Sequence, residues 1–162
     1  MAKGPRYLAA LLGHPPLTQL TLDALCVVCR DHVECRDAFP PQGMMVIAKV
    51  LQSAANMTLV GPGHTMGKDG MVAFESAEDA AALATACCNA VVALATRTED
   101  NKQGFVKKES GGLKALLAAI KAHSNDKNLV TAACLALKTG VTFDDLRRDF
   151  AGAYGACVRR YY

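Results

Sequence analysis

The sequence predicts an all-α fold built from a repeated helical unit, on three observations. The 162-residue chain carries 28 alanines, no tryptophan and only 6% aromatics, and Ala is the best helix former and a poor strand former. Apolar residues recur at helical spacing, punctuated by Gly and Pro. The order of segments also repeats: a long apolar helix, a polar turn, a short helix ending near a Phe, a glycine break, then a Leu-rich helix. At 51% apolar and 20% charged the chain is no disordered tail, and its length suits one domain with a real core. A net charge of +3 is a weak argument for a nucleic-acid partner.

From the N-terminus, Lys3 and Arg6 precede an apolar run over 7–12 that stops at Gly13-His14-Pro15-Pro16, too short for a secretory signal. Residues 22–29 read as a long helix and 31–39 as a short one ending in Phe39. Pro40-Pro41-Gln42-Gly43 breaks the chain, and 44–52 make a Leu/Met/Val helix. Residues 55–76 are glycine-rich and read as an irregular loop. The stretch 79–96 is apolar nearly all round, as a helix buried between neighbours must be. Ser76 and Asp79 stand at capping-box spacing before it.

A polar turn over 97–100 leads to a short helix at 101–109 with Phe105 and Val106 inward, and Gly111-Gly112 breaks it. In 113–123, Leu113, Leu116, Leu117 and Ile120 share one face. Ser124-Asn125-Asp126 stops that helix and caps the next, 129–139. Gly140 and a short helix at 143–150 follow. No apolar run approaches the roughly 18 residues that span a bilayer.

The repetition is visible residue by residue. Leu83, Thr85, Ala86 and Cys88 align with Leu129, Thr131, Ala132 and Cys134 at an offset of 46, and Phe105 and Phe150 are 45 apart. The chain divides into an N-terminal helix with a first unit (1–54), the irregular loop (55–76), a second unit (77–123) and an incomplete third (124–162). A three-helix unit of this length is the armadillo period. Residues 79–162 resemble armadillo-repeat proteins, through Asn101-x-x-x-Phe105, Gly111-Gly112-Leu113-x-x-Leu116-Leu117 and the flanking long helices. Asp144-Asp145-Leu146-Arg147-x-x-Phe150-x-x-Ala153 is similar to the group called armadillo repeat-containing protein six.

The resemblance implies a right-handed α-solenoid of about three repeats, whose long helices line a concave groove that takes extended peptides. In the nuclear-import members of the family, Trp and Asn alternate along those helices. Here the Trp places fall on Asp23, Asn89 and Leu135, and the Asn places on Val27, Ala93 and Thr139. None matches, so that mode of binding is not expected. The candidate groove is Asp23, Val27, Arg30, Asn89, Ala93, Arg97, Leu135, Lys138 and Thr139. It is mixed, mildly basic and without aromatic anchors, and Arg30 and Arg97 are its hot-spot types. The expected role is a non-catalytic protein–protein interaction module or adaptor without a cofactor. The chain would also be able to self-associate end to end through its incomplete last repeat.

The competing chemistry is Cys26-x-x-Cys29-x-x-His32-x-x-Cys35, four soft ligands of the kind a structural zinc site or a redox centre uses. On one continuous helix they spread over about 14 Å, so a shared ion requires a break near Arg30-Asp31. Cys26 and Cys29 fit equally well as small core residues. Seven cysteines, an odd number set mostly in apolar patterns, point to a reducing compartment, cytoplasmic or nuclear. Gly61-Pro62-Gly63-His64-Thr65-Met66-Gly67-Lys68-Asp69 approximates a phosphate loop, but Pro62 takes the first glycine place and Asp69 replaces the metal-binding hydroxyl. His14, His32, His64 and His123 lie in different segments, and His123 ends a helix, where positive charge suits the dipole. The pairs Lys107-Lys108, Arg147-Arg148 and Arg159-Arg160 suggest a weakly basic ridge without the aromatics that stack on single strands.

Overall fold

The computed structural model describes residues 4–12, 15–56, 74, 76–107 and 109–140, with residues 15 and 16 described by backbone alone. These residues form eight α-helices and no β-strand. They are α1 (Gly4–Leu11), α2 (Pro15–Arg30), α3 (Val33–Asp37), α4 (Pro41–Asn56), α5 (Ala77–Ala95), α6 (Glu99–Val106), α7 (Gly112–Ala122) and α8 (Lys127–Gly140). The phosphate-loop-like run 61–69, with His64, lies outside the described residues. So do His14, Lys108, the helix expected at 143–150, Phe150, Cys157 and both arginine pairs.

Local chemistry sets the ends of these helices. Pro15 and Pro41 open α2 and α4, where a missing N–H costs nothing and φ is already helical. α2 therefore starts seven residues before the apolar pattern of 22–29, and α4 runs to Asn56, into the stretch expected to be loop. The Ser76 hydroxyl oxygen caps α5 by accepting from the Asp79 N–H at 3.1 Å, and the hydroxyl donates to the Asp79 carboxylate at 2.7 Å. Gly111, at φ +65°, makes the left-handed turn into α7. Asp126 caps α8, accepting from the Asn128 and Leu129 N–H groups at 2.9 and 3.1 Å.

The helices pack in two rows. α2, α5 and α8 lie side by side, and α4 packs on α7. α4 also packs on α5 and α6, and α7 on α8. α5 is the central helix, with Ala80, Leu83, Ala84, Cys87, Cys88, Ala90, Val91 and Leu94 all buried. It spans 19 residues and is long and apolar enough by composition to cross a bilayer. That corrects the expectation that no run approaches this length. Its apolar girth is spent on α2, α4 and α8, as a helix buried all round requires.

Two side-chain bonds repeat between units. Arg36 donates from Nη1 to the carbonyls of Cys29 and Arg30 at 3.0 and 2.7 Å, closing the end of α2. Asn101 donates from Nδ2 to the Leu94 carbonyl at 3.0 Å, closing the end of α5. In both cases donor and acceptor are seven residues apart. Two ring-on-glycine contacts also recur. A Cβ at Gly43 would meet the Phe39 ring, and one at Gly112 would meet the Phe105 ring and carbonyl. These are the short-helix Phe and the following glycine break of the sequence pattern.

Candidate functional site

Among the described residues, α2 at Gln19 and Asp23, α5 from Ala77 to Asn89, and the α7–α8 connection line one open groove of about 880 Å³. Its floor is Ala81, Ala82, Thr85 and Ala86 of α5. Small side chains there let a ligand approach the helix closely. The walls carry amides and carboxylates: Gln19 and Asp23 from α2, Glu78 and Asn89 from α5, and Ser124, Asn125, Asp126 and Asn128 from the α7–α8 connection.

Among the described lining residues, three carboxylates, Asp23, Glu78 and Asp126, face one lysine, Lys127. The groove is therefore acidic and amide-rich. The basic members of the candidate set, Arg30, Arg97 and Lys138, are not in this lining. Gln19 holds Asp23 in place, donating from Nε2 to both carboxylate oxygens at 3.3 Å. Arg30, Arg97 and Lys138 are exposed but lie at or just past the opposite ends of their helices, outside the lining.

Of the nine candidate groove residues, Asp23 and Asn89 line the cavity. Val27, 76% exposed, and Leu135, 48% exposed, lie open beyond it. Ala93 is buried and is not part of the lining. Thr139 is half-buried and its hydroxyl is spent on the Leu135 carbonyl at 2.8 Å. The sequence reading missed Gln19, Glu78, Thr85 and the 124–128 turn. The signal was present: a polar run, Ser124-Asn125-Asp126-Lys127-Asn128, stands between two apolar helices. Only the fold lays that run beside α2 and α5.

His123, another lining residue, does not stand free at the helix end, as its position suggested. It is buried, and its Nε2 lies 3.2 Å from the Ala54 carbonyl. That contact ties the end of α7 to the end of α4.

The cysteine set does not assemble. α2 does end at Arg30, which is the break a shared ion would need. Even so, among the described residues no three His, Cys, Asp or Glu side chains gather in a way that holds a metal ion. His32 is exposed ahead of α3, while Cys26 and Cys29 are buried in the core. Burial pushes both thiols up to about 11, with the Asp23 charge adding to the effect on Cys26. Burial raises Cys88 to about 12 and holds Cys87 well above the usual thiol range. These thiols are protonated fillers of space and are poor nucleophiles.

No family model, curated protein or solved structure matches this chain.

Proposed function

We propose that this chain is a non-catalytic protein-binding module. In this reading it is an armadillo-like α-solenoid that takes a segment of a partner protein in the groove of α2, α5 and α8. The open three-helix groove carries the proposal. It is open and lined by amides and carboxylates able to hydrogen-bond an extended backbone, above a floor of alanines. The repeated unit supports the solenoid part of the reading, since Arg36 and Asn101 close successive row helices by the same bond. Stacked units of this kind leave an extended surface along one side.

The test is affinity capture with two baits, the native chain and a variant carrying Asp23→Arg and Asn89→Arg. Both residues are exposed, so the helical circular dichroism is expected to be unchanged. Partners held by the native chain and lost from the folded variant support the groove. An identical set on both baits overturns it.

A further inference from the structure

Spare hydrogen-bond acceptors collect in the groove of α2, α5 and α8. Asp23, Glu78 and Asp126 make no ion pair among the described residues, and Lys127 pairs with none of them. The whole chain carries +3, so the acidic excess is local to the groove. Gln19 donates to both carboxylate oxygens of Asp23. A carboxylate offers about four lone-pair sites, so each oxygen keeps one free while the group is held in place. Asp126 spends Oδ1 on the N–H groups that open α8 and keeps Oδ2.

A further acceptor comes from the end of α7. His123 is only 8% exposed, and its Nε2 faces the Ala54 carbonyl. A carbonyl can only accept, so Nε2 carries the proton, and in the neutral ring the lone pair sits on Nδ1. Nδ1 has no partner among the described residues and is not sealed from solvent. His123 lines the groove, and that lone pair opens onto it.

We infer that the segment this groove takes is basic and anchored by an arginine side chain, an assignment that rests on the protein-binding reading proposed above. A guanidinium is a planar fork of N–H donors with no acceptor. It pairs with a carboxylate through two parallel bonds, and Asp23 is held ready for them. Glu78 and Asp126 add attraction, and His123 adds its acceptor. The alanines of α5 give the aliphatic stem an apolar bed. An acidic segment would meet three like charges there.

The experiment is fluorescence anisotropy of the full chain with three labelled decapeptides of glycine and serine, carrying arginine, glutamine or glutamate at every third place. The arginine peptide is expected to bind, the glutamine peptide about tenfold more weakly, and the glutamate peptide not at all. Asp23→Asn with Glu78→Gln weakens the arginine peptide about tenfold. Asp31→Asn with Glu34→Gln removes the same charge from exposed carboxylates outside the lining and leaves the affinity unchanged. His123→Gln keeps a donor for Ala54 without the groove acceptor, and weakens binding about threefold with unchanged circular dichroism. Native affinity in either groove variant overturns the inference. Equal weakening by both double variants does so too, because it assigns the attraction to net charge. An arginine peptide that binds no tighter than the glutamine one, or not at all, also overturns it. The groove itself is judged apart from this, by the paired-bait capture, which does not depend on the charge of the partner.

Discussion

The side-chain amide of Asn101 donates to the backbone carbonyl of Arg36 at 2.9 Å, across 65 residues of sequence. The same nitrogen closes the end of α5 through the Leu94 carbonyl, while the Arg36 guanidinium closes the end of α2. Asn101 therefore ties α3 to the end of α5. Both residues are buried, at 1% and 4% exposure.

Asn101→Leu removes the donor from two carbonyls at a buried position. Leaving them unpaired costs about 1–3 kcal/mol each, so a loss of about 3 kcal/mol is expected in urea unfolding. An Asn101→Asp variant also fails, because a carboxylate can only accept.

Gly112→Ala is expected to be the most damaging of the glycine changes. Its Cβ meets the Phe105 backbone carbonyl, which has no flexible end to move, and a loss of about 3 kcal/mol follows. Gly43→Ala meets only the Phe39 ring and costs less. Gly4→Ala meets nothing within 4 Å. Thermal unfolding of the three variants should give that order.

Arg97 holds φ +60° in the turn between α5 and α6, a left-handed conformation that costs a residue with a Cβ about 1–2 kcal/mol. Arg97→Gly relieves it and is expected to raise stability by about 0.5–1 kcal/mol after the added chain entropy is subtracted. Arg97→Val, β-branched, should lower it. Denaturant midpoints decide both.

The thiols predict an alkaline limit. Cys26 and Cys29 lose their protons near 9.0 in the unfolded chain and near 11 in the folded one. Their contribution to stability is whole below pH 9 and is lost as pH rises toward 11. Stability measured from pH 8 to 11 should fall across that window, and less steeply in a Cys26→Ala, Cys29→Ala variant. At pH 8, Cys134, exposed on α8, should alkylate first among the six described cysteines. Peptide mass mapping reads that order. A metal chelator should leave the unfolding curve in place.

Much of the helical layout was legible along the chain because helices are local. Glycine and proline breaks, the Ser76 and Asp126 caps and the all-round apolar pattern of α5 depend on neighbours a few residues away. Where the boundaries drifted, local chemistry explains it: Pro15 starts α2 early because proline suits the first turn. Phe39 ahead of Gly43 and Phe105 ahead of Gly112 could be read the same way, since each ring lies where its glycine has no Cβ.

The site was legible only in part. Asp23 and Asn89 were found because they sit on outward faces of long helices. Ala93 was misplaced because periodicity assigns a face to a helix but does not say how wide a strip its neighbours leave open. α5, flanked by α2 and α8, keeps only a narrow one. The acidic character of the groove, the part played by the 124–128 turn and the burial of His123 against Ala54 arise from segments tens of residues apart. The 3.6-residue period writes each helix into its own sequence. Which polar edges come to face one another was decided by packing in three dimensions.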